Sequence, residues 1–477
     1  MRHSIQHGSI GPVYWDQYEV LRRIFVTVRD RNWQEIAPKQ WNAITHQSRG
    51  SVDFTARHCS DLVDFEWRGS LEADVHALRF AFEGTALRSM EVCRLGLVVL
   101  HPVDSMIGSR LTTLGPQGMQ QLIVSREIFP QPIVRGVPGA MTEPFSQLRI
   151  EKDEFGTLEV QFQGELFELE DQRNWGDASF KAYCTPLRLG FPRVVQEGTR
   201  IAHQVEVRFT PTTSKANGSL GTRISSGERL GSTQRTRFPS IGRHWQDAHA
   251  SGPHGFAFHH VHFDVPDSGS LSEMNAVLAT NPRAKIQFGL TAGDDGSLDD
   301  AQLALLRKNS ERIARLLVYG RGNSLPTAAV VESLRTELQA SAPLEIPLYA
   351  ATRGYYVEFN RAVALEAEVD GITFPLTATV HSDDAATIVD NVEALQDMAR
   401  SARRLAPQIS DIAVAPLALY HPTSTSGNKF PRDLAAPWLV ATLIHAALGG
   451  VASITLADDV LNAISSWRCG RASTLLQ

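Results

Sequence analysis

Near residue 212 the hydrophobic rhythm of the chain changes, and that change limits the fold more than any single motif does. Up to Pro211, short runs alternate apolar and polar residues with period two: "IFVTVRD" from Ile24, "SVDFTARHCS" from Ser51, "HALRFAFEG" from His76, "RLGLVVLHP" from Arg94, "TLEVQFQG" from Thr157 and "QVEVRFTP" from Gln204. Period two, with β-branched and aromatic residues between turns rich in Gly, Pro and Asp, is the pattern of half-buried strands. No amphipathic helix interrupts it, so an antiparallel β-sandwich is expected over 1–211. Residues 212–243, "TTSKANGSLGTRISSGERLGSTQRTRFPSIGR", are polar and rich in Ser, Gly, Thr and Arg, and read as a linker or long loop.

Over 244–477 the rhythm becomes strand, helix, strand, helix. Candidate strands are "GFAFHHVHFDV", "AKIQFGLTA", "IARLLVYG", "LEIPLYA", "DGITFPLT", "DIAVAPLAL" and "VASITLAD"; the runs between them repeat apolar residues at three and four. This predicts a (β/α)8-type TIM barrel, with a doubly wound sheet as the alternative. Seven strands are legible rather than eight, Gly354–Arg361 reads as an irregular segment, and the barrel looks short at its C-terminus.

Composition narrows the function classes. The 477 residues are 43% hydrophobic and 21% charged, with a formal net charge of −6, which fits a globular chain of two or three domains. Scattered Lys and Arg argue against a nucleic-acid surface. No apolar run of membrane length is present; "PWLVATLIHAALGGVASITL", from Pro437, is broken by His445 and a double glycine. "MRHSIQHGSIGPVYW" has no signal-like apolar core, and Cys59, Cys93, Cys184 and Cys469 form no CxxC pair. A cytoplasmic protein without disulfides, and with no nucleic acid or membrane as partner, is therefore expected.

Barrel chemistry gathers at the C-terminal ends of strands. The strand candidate "IPLYA" leads into "ATRGYYVEFNR", which brings Arg353, Tyr355, Tyr356, Glu358 and Arg361 together. If this segment is extended, Tyr356 and Glu358 share a face, and Glu358 becomes a candidate acid, base or nucleophile. The bland alternative is an ion pair of Glu358 with Arg361. "FPLTATVHSDD" supplies His381, a polyol ligand or proton shuttle, while Ser382 or Asp383 would cap the helix that starts at Ala385. "APLALYHPT" places Tyr420 and His421 just beyond another strand.

In "FHHVHFD", read as the first barrel strand, His260, His262 and Asp264 share a face. His260 is a candidate to line the substrate cavity. An HxH pair at such a position also serves metal-dependent barrel hydrolases, though two histidines fall short of the three or four ligands a metal takes. Packing of the remaining histidines beneath loops is the simpler account, and neither a metal nor a cofactor is expected.

One stretch of the β-rich half is unusually polar. "GELFELEDQRNWGDASFKAYCTP" (Gly164–Pro186) puts Glu168 and Glu170 on one strand face and Asp171 on the other, followed by Arg173, Asn174, Trp175, Asp177 and Lys181. Two like carboxylates need compensation by Arg173 or Lys181. Trp175 could stack on the apolar face of a sugar-like ring. A salt network with Trp175 as a packing anchor is the structural alternative.

"EVLRRIFVTVRDRNWQEIAP" (Glu19–Pro38), "DFTARHCSDLVDFEWRG" (Asp53–Gly69), "LVVLHP" (Leu97–Pro102) and "FELEDQRNWGDASFKAYCTPL" (Phe167–Leu187) together resemble the D-apionate lactonase family. The likeness is strongest over about residues 15–210 and looser through the barrel half. It implies a glycoside-hydrolase-like architecture and hydrolysis of D-apionolactone to D-apionate in bacterial apiose breakdown, so the implied partner is a small-molecule sugar lactone. It marks Glu170, Asp171, Arg173, Asn174, Trp175, Asp177 and Lys181 as the family's polar motif. A homo-oligomer is left open.

Opening a lactone needs a base for water, donors for the oxyanion and an acid for the leaving ring oxygen. Glu358 is the expected base, His381 the acid or oxyanion partner, and Arg353 or Arg173 the stabiliser of negative charge, with Tyr355 and Trp175 shaping the pocket. No GxSxG elbow supports a serine route. The alternatives are a glycoside hydrolase, for which only Asp458 and Asp459 offer a late second carboxylate, a metal-dependent hydrolase using His260 and His262, and a binding protein without turnover.

Overall fold

The computed structural model describes residues 1–6, 8–46, 48, 50–212, 237–245, 258–264, 274, 278–279, 282–291, 297–341, 345–362, 368–381, 384–409, 411–420 and 430–471. They form two units: Met1–Gln172 with Ser179–Gln234, and Arg173–Ala178 with Arg235–Gln477. Most of the polar segment read as a linker, 213–236, lies outside the described residues, as do Ser382, Asp383 and His421.

The first unit is built on two large antiparallel sheets, with a two-stranded one (Ile133–Val134 with Val137–Pro138) beside them in the chain. One has eight strands, centred on the long strand Met90–Pro102, and the other has nine, ordered from Gly118–Ile123 to Pro38–His46. The nine-stranded sheet keeps the expected alternation, as in Ser51–Cys59 and Ala77–Ala86, where every second side chain is buried. Its inward aromatics interlock edge to face, with Trp67 6.3 Å from Phe80 and 5.9 Å from Phe82 between ring centres. The two sheets meet at His203, whose Nδ1 accepts from the backbone N–H of Leu97 at 3.4 Å. Cys59, Cys93 and Cys184 are free thiols.

The second unit contains a closed barrel of eight parallel strands. In order these are Ser240–His244, His260–Asp264, Lys285–Thr291, Ile313–Tyr319, Leu348–Ala351, Gly371–Thr377, Asp411–Ala418 and Ser453–Leu456. Closure corrects the count of seven. The missing strand is Ser240–His244, which joins both the last strand (Ser240 opposite Ser453) and the second (Gly242 opposite His260). "SIGRH" carries one strong apolar residue, so no local pattern announces it; hydrogen bonds from two neighbouring strands hold it instead. "FHHVHFD" is accordingly the second barrel strand, and "IPLYA" the fifth. At Gly242 a Cβ would sit about 2.1 Å from the His260 ring, so only glycine admits that histidine to the interior.

The barrel interior is filled, not hollow. Leu317, Tyr319, Tyr349, Ala351, Ala413 and Ala415 form one buried cluster, and beside it lie the buried polar side chains of His260, Gln287, Arg315 and Thr455. Helices Asp300–Lys308, Ala328–Ser341, Ala394–Leu405 and Ala435–Gly449 follow strands as the repeats at three and four predict. Among the described residues no helix is long and apolar enough to cross a membrane.

Candidate active site

The C-terminal ends of the first, second and fifth barrel strands bring together His244, His262, Asp264 and Arg353. Arg353 Nη2 donates to Asp264 Oδ1 at 3.2 Å, and its guanidinium lies 4.0 Å from the centre of the Tyr319 ring. The Nε2 atoms of His244 and His262 each stand 3.6 Å from an Asp264 oxygen, with the two rings 4.7 Å apart. Burial by itself would raise the Asp264 carboxyl, but His244, His262 and the Arg353 charge outweigh it and hold the group far below the usual carboxylate range. Burial pushes the His262 imidazole down to about 4 despite Asp264. The result is a carboxylate that stays ionised beside a neutral histidine and an exposed guanidinium.

Below this group a chain of hydrogen bonds crosses the barrel interior. Arg315 Nε donates to Gln287 Oε1 at 2.7 Å, and Gln287 Nε2 reaches His262 Nδ1 at 3.1 Å and Thr455 Oγ1 at 3.3 Å. His260 Nε2 is 2.9 Å from the same Thr455 hydroxyl. His260 and His262 do share the inward face, as their spacing predicts, but at different depths. His260 is sealed against Gly242 in the core, whereas His262 sits at the mouth.

Glu358 does not lie on an extended segment. Tyr356–Asn360 is a short helix, where residues two apart point in widely different directions, so Tyr356 is buried in the core while Glu358 is not. The Glu358 side chain folds over Gly354, where a Cβ would come within 2.7 Å of it, and accepts from Arg361 Nη1 at 3.0 Å. Its side chain remains 28% exposed. Tyr355 is the residue that precedes this helix. Tyr420 is anchored at both ends: its N–H donates to Asp459 at 3.0 Å and its hydroxyl accepts from Phe430 N–H at 2.8 Å.

The polar motif divides between the units. In the sandwich, Lys181 Nζ compensates Glu170 at 2.6 Å, Gln131 also donates to Glu170, and Asp171 accepts from the Phe129 N–H at 3.2 Å. Glu168 accepts from the Tyr183 hydroxyl, and burial raises its carboxyl. Arg173–Ala178 belongs to the barrel unit. There Arg173, fully buried, donates to Asp397 at 2.8 Å. Asn174 accepts from Asn360 at 2.9 Å. Asp177 accepts from Asn391 at 2.9 Å and pairs with His381 Nδ1, while the Trp175 ring lies 6.1 Å from His381. Helix Ala385–Asn391 is capped by Asp384, which accepts from Thr387 N–H at 3.0 Å.

The structure gathers seven of the sequence candidates into three groups, with Glu358, Arg173, His260, Tyr355 and Tyr420 outside them. Arg353 joins the mouth cluster; His381, Asp177 and Trp175 form a second cluster; and Glu170, Asp171 and Lys181 stabilise the sandwich. His244, Gln287 and Arg315 were not anticipated. His244 ends a strand with no apolar signature, and a lone Gln or Arg inside an apolar strand becomes legible only through its partners.

Residues 1–212 match the D-apionate lactonase N-terminal domain, and residues 260–460 match the D-apionate lactonase TIM barrel domain. The chain belongs to the D-apionate lactonase family. A D-apionate lactonase of Brucella anthropi is 25% identical over 432 residues, covering 84% of this chain and 68% of the relative. Among solved structures, a putative aldose 1-epimerase of Escherichia coli K12 matches 43% of this chain and 93% of its own (13% identity, TM-score 0.29). A GH36 α-galactosidase of Geobacillus stearothermophilus matches 93% of this chain and 75% of its own (10% identity, TM-score 0.26).

Proposed function

We propose that this chain hydrolyses a sugar lactone, D-apionolactone to D-apionate, by attack of water under general-base assistance from a carboxylate. The observation that carries this reading is the alignment with a protein named for that reaction along 84% of the chain, through both units. Glu358 is the proposed base: it stands just after the fifth barrel strand, partly exposed, with one arginine beside it. Asp264 is a poor base, because its surroundings favour its charge too strongly; its role is to hold Arg353 and the two imidazoles at the mouth. Arg353, exposed and held at one edge by Asp264, is the proposed partner of the charge that develops on the carbonyl oxygen. His381, oriented through Nδ1 by Asp177, is the proposed acid for the ring oxygen that leaves, and Trp175 beside it suits the apolar face of the ring.

The glycosidase alternative loses support. It needs a second available carboxylate, and the late candidates are occupied: Asp458 binds Arg243 at 3.0 Å and Asp459 accepts from the Leu419 and Tyr420 N–H groups. The deciding experiment is a proton-release assay on a panel of aldonolactones, D-apionolactone included, with and without chelator. Turnover of a lactone that survives chelation is the expected result. Release of sugar from aryl glycosides without lactone turnover would replace this reading.

A further inference from the structure

His244, His262 and Asp264 lie with their ligating atoms within 4.8 Å of one another, close enough to suggest a metal site. The hydrogen bonds beneath them argue for a different use. Arginine has only donors, so the Gln287 atom 2.7 Å from Arg315 Nε must be the amide oxygen. The Gln287 amide is thereby fixed in orientation, and its nitrogen faces His262 Nδ1 at 3.1 Å. A ring nitrogen that accepts an N–H bond carries no proton. The proton of neutral His262 must then sit on Nε2, the atom aimed at Asp264.

We propose that Gln287, clamped by Arg315, is a positioning residue that locks His262 as the Nε2–H tautomer, which keeps it a proton donor toward Asp264 and closes it to metal ions. Metal ligation through Nε2 requires the ring proton on Nδ1, where a carboxylate, carbonyl or water would normally accept it. Here that place is taken by another donor. A fully protonated ring is opposed for the same reason, since two N–H groups would face each other, and the depressed basicity of His262 agrees with this. Gln287 itself is wholly buried, so bulk water does not compete for the contact. Arg353, whose Nη2 lies 3.2 Å from the same Asp264 oxygen that His262 Nε2 faces, adds a positive charge where a metal would have to sit.

The tautomer does not depend on the proposed reaction; only its kinetic consequence rests on that reading. The primary test is ring-15N histidine NMR of the intact protein, with the His262 signals assigned by comparison with His262→Gln. A bare Nδ1 and a protonated Nε2 are expected, and an Nδ1–H signal in the wild type would overturn the lock. Zinc titration gives the second readout: the wild type should bind no zinc that His262→Gln abolishes, and a stoichiometric, His262-dependent zinc would refute the inference. Gln287→Glu replaces the donor with an acceptor. It should move the proton to Nδ1, create a zinc affinity that the wild type lacks and that His262→Gln abolishes, and lower kcat by about 10–100-fold with little change in KM, the loss usual when the partner orienting a site histidine is changed. If that variant does not fold, Gln287→Met, which removes the donor without adding charge, should free the tautomer, and an unchanged Nε2–H signal in it would count against the lock. A locked tautomer in a protein that turns over no lactone would defeat the proposed function and leave this inference standing.

Discussion

Arg353 and Asp264 meet at 3.2 Å across the barrel mouth although 89 residues separate them in the chain. One follows the fifth strand and the other ends the second, so their contact exists only because the barrel closes. Both side chains are about 40% exposed (42% and 41%), which makes the pair weak as a source of stability and available to a ligand.

Arg353→Ala is therefore expected to change unfolding free energy by less than about 1 kcal/mol. It should lower lactone kcat/KM by about 10²–10³, the loss seen when one oxyanion donor is removed. Paired urea unfolding and initial-rate kinetics check this. A stability loss with unchanged kinetics would contradict the assigned role.

Glu358→Gln keeps shape and loses basicity. A fall in kcat of about 10²–10⁴ is expected, with an unchanged circular dichroism spectrum. Full activity in this variant would move the base elsewhere in the mouth. Arg361→Met separates the two possibilities at that helix, because it removes the ion pair while leaving the carboxylate in place.

Arg173 and Asp397 form a buried pair within the barrel unit, with side-chain exposures of 0% and 4%. Removing Arg173 takes the 2.8 Å partner from a buried carboxylate that also faces the half-exposed Arg400 at 3.6 Å, so Arg173→Met should cost about 3–5 kcal/mol. The double variant Arg173→Met with Asp397→Leu should recover much of that loss. Denaturant melts of the single and double variants measure the coupling, and equal melts of single variant and wild type would deny it.

His101 is fully buried, and neither of its ring nitrogens has a hydrogen-bond partner among the described residues. Burial lowers its basicity to about 3 from the ordinary 6.5. Between those values the unfolded chain binds a proton that the folded chain does not, so stability rises with pH across the window and is lost on acidification. The slope from this group approaches about 1.4 kcal/mol per pH unit inside the window. His101→Leu should flatten the decline between pH 6 and pH 4, which chemical melts at several pH values will reveal. An identical pH dependence in both proteins would refute it.

Two kinds of information separate cleanly in this molecule. Periodicity along the chain determined six of the sandwich strands, seven of the eight barrel strands and the helices between them, because alternation of apolar residues is a local consequence of one buried face. The shared face of His260 and His262 followed from the same rule. Long polar motifs determined the family.

Only the tertiary structure decided the rest. Ser240–His244 became a strand because two neighbours pair with it, not because of its own residues. Glu358 turned away from Tyr356 because its segment coiled into a helix, and Arg173 found Asp397 224 residues away. Hydrogen-bond partners, ring tautomers and ion pairs depend on which side chains meet across a closed barrel, and linear spacing does not encode those meetings.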